Sequence, residues 1–385
     1  MKFLDLFAGI GGFRIGMESA GHECIGFCEI DKFARASYKA IHDTKGEIEL
    51  HDITTVSDDT IRGIGHVDVI CVGFPCQAFS IAGARRGFED TRGTLFFEIA
   101  RFASILKPRY LFLENVKGLL NHDRGNTFEV ILSALDELGY DVEWQVLNSK
   151  NFGVPQNRER VFIIGHLRGG SGRKVFPLSG DGAAITCEQP KINKVGNIRK
   201  KGKSQSGVVV SIDSLAPTLC STTTQKDPLK VLIENEIKQF GVLQPNYNQS
   251  GVVYEIDGIS PTIRAYQGGN LEPKIRVKEA TKQGYQEAEI GDSVNLSHPN
   301  SKTRRGRVGK KIANTLLTGE SQGVVEPDFR IRKLTPRECW RLQGFPDWAF
   351  DKAQEVNSNS QLYKQAGNSV TVNVISAIAQ GLGGN

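Results

Sequence analysis

The sequence predicts an α/β protein with a doubly wound, mostly parallel sheet and a second, smaller β-rich domain. Short apolar runs alternate with helix-period segments up to about residue 170, which is typical of a parallel sheet. The composition then changes to Lys, Gly, Ser, Thr and Pro, and a helical pattern returns only near the end. We expect a first domain over 1–180, a second over 181–345, and a C-terminal segment over 346–385 that packs back on the first.

Each apolar run in the first domain predicts a strand buried on both faces. In order, the runs are KFLDLF, ECIGFCEI, VDVICVGF, RYLFLENV and RVFIIGHL. TLFFEIARFASIL and NTFEVILSALDELG repeat apolar residues at helical spacing, and the second opens on Asn126 or Thr127 and stops at Gly139. In such a sheet, ligands bind at the carboxyl ends of the strands.

The second domain contains similar units. Segments beginning at Ser206 and Ser250 align 44 residues apart, and a looser copy begins at Gly306. Each predicts a strand, a tight turn and a second strand, with Asp257-Gly258 as the clearest turn. Two or three such hairpins are too few for a propeller, so we expect a small module of stacked hairpins.

Positive charge is concentrated in one region. The formal net charge is +5, yet residues 191–330 hold 21 Lys and Arg against 14 Asp and Glu. Such a surface is expected to meet a polyanion, and the alternative is a solvated basic face without a partner.

The seven cysteines show neither Cys-x-x-Cys pairs nor partnered histidines, so neither a disulfide framework nor a zinc site is predicted. The chain opens directly into a strand, and no run of about 18 apolar residues occurs. We therefore expect a cytoplasmic protein that does not enter a membrane.

A glycine-rich turn, DLFAGIGGFRIG, follows the first strand and contains Gly9 and Gly11. Alone it is weak evidence, since glycines also mark turns without a ligand. Glu29 ends the second strand, where nucleoside-binding folds place a carboxylate that accepts from ribose hydroxyls. The pair predicts an adenosine-bearing cofactor, although Arg14 breaks the fuller glycine pattern of dinucleotide sites.

Two further strand ends carry reactive groups. VDVICVGF leads into Pro75-Cys76, and LFLENV carries Glu114 and Asn115. A carboxylate in so apolar a run is costly to desolvate unless it has a partner or a function. Because both strands are predicted to be parallel neighbours, we expect these groups to face one site.

Seven ordered segments carry a family resemblance. They are DLFAGIGGFR, GFPCQAFS, GFEDTRGTLFFEIAR, LFLENVKGLLNHD, QNRERVFIIG, RKLTPRECWRLQGFPD and QAGNSVTVNV. In order and spacing they resemble the conserved blocks of the DNA (cytosine-5)-methyltransferases of the compact bacterial or phage type. The resemblance covers the chain outside 170–330, which is that family's variable target-recognition region. It implies a Rossmann-like, S-adenosylmethionine-dependent methyltransferase acting on double-stranded DNA.

The resemblance also implies a covalent mechanism. Carbon 5 of cytosine is a poor nucleophile, and in this family a cysteine thiolate first adds to carbon 6. Cys76 matches that nucleophile, and Glu114 matches the group that holds the ring-nitrogen edge of the base. Arg158 and Arg160 match the block whose arginine braces the base carbonyl. The cytosine must be flipped out, since its carbon cannot be reached inside a duplex.

For the cofactor, the resemblance implies S-adenosyl-L-methionine, with S-adenosyl-L-homocysteine as product and no metal. Glu29 would bind the ribose, Asp52 the adenine amino group, and Ile30 and Ile53 the faces of adenine. Ile30 departs from the family, where an aromatic residue is common, and so does His51, where glycine is frequent. The other implied cofactor positions are Phe7, Gly9, Gly11, Pro75, Leu95, Asn368, Ser369 and Val370.

DNA contacts are expected from two parts of the chain. SIAGARRGFEDTRG, which follows Cys76, predicts a lid over the flipped base. In the second domain, SKTRRGRVGKK suits phosphate contact, and YNQSG suits base contact. The residues assigned to DNA are Gln77, Ser80, Arg85, Arg92, Gln249, Arg304 and Arg305.

The sequence disfavours four alternative functions. A tRNA cytosine-5 methyltransferase would keep a shorter recognition insert, and an amino-methylating enzyme would show an Asp/Asn/Ser-Pro-Pro-aromatic block, which is absent. A catalytically silent DNA-binding homologue is disfavoured by intact Cys76, Glu114 and Arg160. Nothing supports hydride transfer by a nicotinamide-dependent dehydrogenase.

We expect a monomer that protects DNA in bacterial restriction-modification, with a cognate endonuclease acting on the same site, or that protects phage DNA. The repeats leave open whether the module recognises more than one target or is duplicated for stability alone. Hairpin loops carry no transferable code, so the target sequence cannot be read from the chain.

Overall fold

The computed structural model describes the two ends of the chain and part of its middle. The described residues are 1–75, 95–170, 174–178, 275–298, 301, 303–319, 321–327 and 330–382, with four short strands between 194 and 254. Six predicted site residues lie outside them: Cys76, Gln77, Ser80, Arg85, Arg92 and Gln249.

The chain divides into two compact units. The larger comprises Met1–Ala183, Ile275–Pro327 and Ile331–Asn385, and the smaller comprises Ala184–Lys274 and Asp328–Arg330. Much of the basic region after residue 274 therefore groups with the larger unit. The domain boundaries at 180 and 345 stay predictions.

A seven-stranded sheet is the centre of the larger unit as far as the chain is described. Its order is β3-β2-β1-β4-β5-β8-β6. The first five strands are parallel, and β8 pairs antiparallel with both β5 and β6, so β6 runs in the same direction as the first five strands. The predicted doubly wound, mostly parallel sheet is confirmed. The strands are β1 (Lys2–Leu6), β2 (Glu23–Cys28), β3 (Ile48–Leu50), β4 (Val69–Gly73), β5 (Tyr110–Val116), β6 (Tyr140–Asn148) and β8 (Glu159–Leu167), and β7 (Gln156–Asn157) lies outside this sheet.

Helices connect these strands and form the C-terminal part of the unit. TLFFEIARFASIL contains α4 and NTFEVILSALDELG contains α5, which confirms both helices predicted from periodicity. The helices are α1 (Gly12–Ser19), α2 (Lys32–Ile41), α3 (Asp58–Gly63), α4 (Leu95–Leu106), α5 (Asn126–Glu137), α6 (Pro336–Leu342), α7 (Asp347–Gln354), α8 (Asn359–Asn368) and α9 (Val372–Leu382).

The sheet is buried on both faces, as its apolar strands require. In β4, Ile70 and Val72 belong to one apolar cluster, and Val69 and Cys71 belong to another. This alternation is the two-residue period of a strand. Each fully buried aliphatic side chain contributes about 1.5–3 kcal/mol, so the two clusters fix the strand ends firmly.

The C-terminal segment packs on the first strands and helices of the chain. Val374, Ile375 and Ile378 of α9 lie in the same apolar cluster as Phe13 and Met17 of α1. The helical pattern of QAGNSVTVNV is interrupted between α8 and α9. Of the positions implied to bind cofactor, Asn368 ends α8, and the chain is extended at Ser369.

Small antiparallel sheets follow the main sheet in the chain. The third predicted hairpin, at Gly306, is wrong: Val308 pairs with Val294, and Ala313 pairs with Gln156. The intervening turn is bound to Asp292, which accepts from Lys311 N and Lys310 Nζ. The strands involved are β13 (Ile275–Lys278), β14 (Tyr285–Ala288), β15 (Ser293–Asn295), β16 (Val308–Gly309), β17 (Ala313–Asn314), β18 (Gln322–Val325) and β19 (Ile331–Lys333).

The smaller unit is described only as two strand pairs. β9 (Lys194–Asn197) pairs with β10 (Val208–Val210), and β11 (Gln239–Val242) pairs with β12 (Val252–Tyr254), both antiparallel. β10 and β12 begin the first two predicted repeats, and the predicted turns after them lie outside the described residues.

None of the helices in the described part of the chain is long and apolar enough to span a membrane.

Candidate active site

The carboxyl ends of the parallel strands bring several predicted site residues to one edge of the sheet. Leu6 of β1 lies between Cys28 of β2 and Val72 of β4, and Gly73 lies opposite Glu114 of β5. The glycine-rich loop, the segment before Cys76 and Glu114 therefore share this edge, as expected for a ligand site in a doubly wound sheet.

Glu114 is buried and paired with Arg160 from the antiparallel neighbour β8. Arg160 Nε lies 3.0 Å from Glu114 Oε1. Burial raises the pKa of Glu114, and the guanidinium groups of Arg160 and Arg158 only partly oppose this. The carboxyl group therefore holds a proton more readily than an ordinary glutamate, and it can donate that proton to a ring nitrogen.

Asn115 fixes the backbone that leads to Cys76. Its Nδ2 donates to the carbonyl of Phe74 at 2.9 Å, and its Oδ1 accepts from Val116 N at 2.8 Å. Asn115 is itself buried. Phe74 is thus held two residues before Cys76.

Arg158 makes different contacts from Arg160, although the sequence places both in one block. Its buried Nη2 donates to the carbonyls of Gly367, at 3.2 Å, and Ser369, at 2.7 Å. Among the described residues, its Nε and Nη1 have no hydrogen-bond partner. Burial, together with the charge of Arg160, lowers the pKa of Arg158. Arg158 therefore ties the C-terminal segment to the site, and its predicted catalytic role stays a prediction.

Glu29 is buried at the end of β2 and is bound by backbone donors. Its Oε2 accepts from Gly9 N and its Oε1 from Asp31 N, both at 2.7 Å. Burial raises the pKa of Glu29 against these two bonds. Gly9 has φ +57°, and a Cβ built there would meet no atom of the described residues within 4 Å.

The next three predicted cofactor positions differ in exposure. Ile30 is 65% exposed, whereas Ile53 is buried. Asp52 is half-buried and accepts from Thr54 N and Thr54 Oγ1, and these bonds lower its pKa. An apolar face, an ionised acceptor and the carboxylate of Glu29 suit the purine, the amino group and the ribose of an adenosine.

The C-terminal segment meets the glycine-rich loop. A Cβ on Gly12 would lie 2.8 Å from Val370 Cγ2 and 2.9 Å from Ser369 Oγ, so both residues pack against the start of α1. Phe7 adopts φ +54° where β1 enters the loop. The remaining predicted positions differ in exposure: Asn368 and Pro75 are exposed, and Leu95 is half-buried.

Arg101 of α4 is absent from the sequence predictions, although it contacts the loop that carries Asp52. It donates to the carbonyls of Ile53 and Val56. Only its spacing from Glu98, one helical turn away, is visible in the sequence.

The predicted phosphate-binding arginines lie on the segment before β16. Arg304 Nη1 lies 3.2 Å from His298 Nδ1, and Arg305, which is exposed, donates to the carbonyl of Ala280. Buried Arg307 donates to the carbonyl of Asn295 and anchors the segment. Phosphate contact by Arg304 and Arg305 stays a prediction.

Within the described residues, no group of three or more His, Cys, Asp and Glu side chains is placed to hold a metal ion.

Known proteins resemble this chain over its whole length. The family model for C-5 cytosine-specific DNA methylase matches residues 1–384. The type II methyltransferase M.HpaII of Haemophilus parainfluenzae is 38% identical, over 97% of this chain and 87% of its own length. The orphan methyltransferase M.SPRI of Bacillus phage SPR is 34% identical, over 98% and 96%.

A solved structure shows the same fold. The S. pombe Dnmt2 methyltransferase superposes with a TM-score of 0.52 at 18% identity, covering 98% of this chain and 96% of that one. The chain therefore belongs to the C-5 cytosine-specific DNA methylases and is a DNA (cytosine-5)-methyltransferase.

Proposed function

We propose that the protein transfers a methyl group from S-adenosylmethionine to carbon 5 of a flipped-out cytosine, through a covalent adduct with Cys76. The observation that carries this proposal is the buried pair of Glu114 and Arg160 at the strand end beside Phe74. A carboxyl group with a raised pKa is suited to protonate the ring nitrogen of cytosine, which must accept a proton when the thiolate attacks carbon 6.

The thiolate of Cys76 forms a bond to carbon 6 while Glu114 supplies a proton to the ring nitrogen. Carbon 5 thereby becomes nucleophilic and takes the methyl group as the bond from that group to the sulfonium sulfur breaks, and the ring nitrogen returns its proton to Glu114. A general base then removes the proton from carbon 5, the bond between carbon 6 and the sulfur of Cys76 breaks, and the thiolate leaves. Arg160 braces both Glu114 and the base carbonyl, and Asn115 holds the backbone before Cys76.

The adenosine surface fits S-adenosylmethionine, which supplies a methyl group on a positively charged sulfur when bound. Glu29 binds the ribose hydroxyls, Asp52 binds the adenine amino group, and Ile30 covers an adenine face. Glu29 is held in place by Gly9 N and Asp31 N, so it needs little rearrangement to accept the ribose. The other contacts come from Phe7, Gly11, Ile53, Pro75, Leu95, Asn368, Ser369 and Val370.

Target recognition is assigned to the region 181–345, with phosphate contacts from Arg304 and Arg305 and a base contact from Gln249. A lid with Gln77, Ser80, Arg85 and Arg92 closes over the flipped base. We assign the protein to the protection of DNA as a monomer in the cytoplasm. Because one relative is named a type II methyltransferase and another an orphan methyltransferase, a cognate endonuclease is a separate part of this proposal.

The test incubates purified protein with duplex DNA and methyl-tritiated S-adenosylmethionine, then separates the nucleosides. We expect label in 5-methyldeoxycytidine, none with Cys76→Ser, and near-normal label with Cys71→Ala, which alters a buried cysteine within β4 and leaves Cys76 in place. Label in N4-methyldeoxycytidine, or label in RNA and none in DNA, would contradict the proposal.

A further inference from the structure

Arg101 makes an unusually complete set of contacts for a partly exposed residue. Its Nη1 donates to the carbonyl of Val56 and to Asp58 Oδ1, both at 2.8 Å, and its Nη2 donates to the carbonyl of Ile53 at 3.1 Å. Its Nε donates to Glu98 Oε2 at 2.9 Å within the same helix. Glu98 therefore orients the guanidinium, which makes two contacts with the loop between β3 and α3 and a third with Asp58 at the start of α3.

The hydrogen bonds inside that loop are concentrated on Asp52. Residues Ile53–Thr55 form a single 3₁₀ turn, and Asp52 caps it by accepting from Thr54 N, Thr54 Oγ1 and Thr55 Oγ1. These bonds orient Asp52 relative to the turn, but one short turn is unstable in isolation, because it fixes several backbone angles for few bonds. The carbonyls of Ile53 and Val56 accept from Arg101. Arg101 therefore fixes the position of the turn, and of Asp52 with it, against α4.

An isolated surface ion pair contributes little to stability, so the carboxylates of Glu98 and Asp58 alone would not enable Arg101 to hold the loop. The two backbone carbonyls do, because a planar guanidinium can donate to separated acceptors at once, whereas a lysine ammonium is a single point. Arg101 thus links α4 to the loop that carries the adenine-side residues.

We propose that Arg101 is a positioning residue for the cofactor: it holds Asp52 and Ile53 in the orientation that binds adenine. This inference rests on the proposed function. Since Arg101 touches neither the base nor Glu114 in the described contacts, it acts on cofactor affinity and leaves the chemical step intact.

The test measures the Kd of S-adenosylhomocysteine by calorimetry without DNA, and the KM and kcat for methyl transfer. For Arg101→Met we expect the Kd and the cofactor KM to rise about 10- to 100-fold, the loss of two or more charge-assisted bonds, with kcat at saturation within about twofold. The Kd and cofactor KM of Arg101→Lys should lie between those of Arg101→Met and the parent. This variant is used for the test if Arg101→Met does not fold.

Arg168→Met is the matched control, since Arg168 also binds two carboxylates and a backbone carbonyl but lies on the surface after β8. It should leave the Kd unchanged. Equal Kd values for the parent and the Arg101 variants, or a fall in kcat without a change in Kd, would overturn the inference alone. A parent protein that does not bind S-adenosylhomocysteine would overturn the proposed function as well.

Discussion

The two sides of the candidate site hold their charges differently. On the base side, buried Glu114 is paired with half-buried Arg160. On the cofactor side, half-buried Asp52 is bonded to Thr54, and the carboxylate of Glu29 is held by backbone N–H groups, while Arg35 donates only to the main-chain carbonyl of Glu29. On the base side, burial raises the affinity of Glu114 for a proton. On the cofactor side, the carboxylates of Glu29 and Asp52 are already held in place as hydrogen-bond acceptors. Changes on the first side should therefore affect the rate, and changes on the second should affect binding.

The largest effect is expected from Glu114→Gln, which removes the ionisable carboxyl group on the base side of the site. Without the ionisable group, kcat should fall about 10²- to 10⁴-fold, the usual contribution of general acid–base catalysis. The Kd for cofactor should change less than about twofold, within the accuracy of calorimetry. The measurement is single-turnover methyl transfer at saturating cofactor.

Glu143→Gln is the control for this change, because Glu143 is a half-buried carboxylate of β6 that is paired with His166 of β8. It should leave kcat close to that of the parent. A Glu114→Gln enzyme as fast as Glu143→Gln would contradict the role of Glu114.

The second effect concerns the cofactor side. Glu29→Gln should raise the cofactor Kd about 10- to 100-fold near neutral pH, the range for a hydrogen bond to a charged group. Because burial raises the pKa of Glu29, the parent carboxylate takes up a proton at a higher pH than an ordinary glutamate. The parent Kd should therefore rise as the pH is lowered from about 8 to about 5, and the variant Kd should stay flat. A flat parent profile would argue against Glu29 as the ribose acceptor.

The third prediction separates backbone strain from a side-chain clash in the glycine-rich loop. Gly11 and Gly46 both have φ +83°, but only at Gly11 would a Cβ meet another residue, His42 Nε2 at 2.1 Å. His42 is buried and packs on Tyr38, so it has little room to move. Gly46→Ala should cost about 1–2 kcal/mol of unfolding free energy from strain alone.

Gly11→Ala should cost about 1–3 kcal/mol more, from overpacking. The double variant Gly11→Ala/His42→Ala should recover part of that difference in urea unfolding. Equal destabilisation by the two alanine variants would show that the loop is not held by His42.

The smallest effect is expected at Asp31, beside Glu29. Burial tends to raise the pKa of Asp31, but the bond from Lys364 at 2.7 Å and the helix-cap bonds outweigh it and lower the pKa. Asp31→Asn keeps an N-cap and loses a partly exposed ion pair, so it should cost about 0.2–1 kcal/mol near neutral pH.

The direction in which the stability changes with pH follows from the lowered pKa of Asp31. The stabilisation is present above the unfolded pKa of 3.8 and is lost as the pH falls through the lower folded value, so the two unfolding curves should converge at acid pH. A difference that persists under acid conditions would mean that the ion pair is not its source.

The strands that form the site could be predicted from the sequence, because strands buried on both faces are continuous apolar runs. β6 was missed, since it is an edge strand in which Asp141 pairs with Arg168 and Glu143 with His166. A strand that contains such charged residues is not recognised by a search for continuous apolar runs.

The site residues were named by resemblance, and their contacts could not be predicted. The bond from Arg158 to Ser369 joins positions 211 residues apart, and that from Arg101 to Ile53 joins positions 48 apart. Neither separation has a local pattern. The hairpin predicted at Gly306 failed for a related reason: Asp292, distant in sequence, binds the turn.

The covalent adduct at Cys76 can be trapped with duplex DNA containing 5-fluorocytosine. Fluorine takes the place of the proton that carbon 5 must lose, so the carbon–sulfur bond cannot break after methyl transfer. With S-adenosylmethionine present, we expect a denaturation-resistant protein–DNA adduct in the parent and none with Cys76→Ser. No adduct in the parent, with cofactor binding confirmed and the target site present, or an adduct that survives Cys76→Ser, would contradict it.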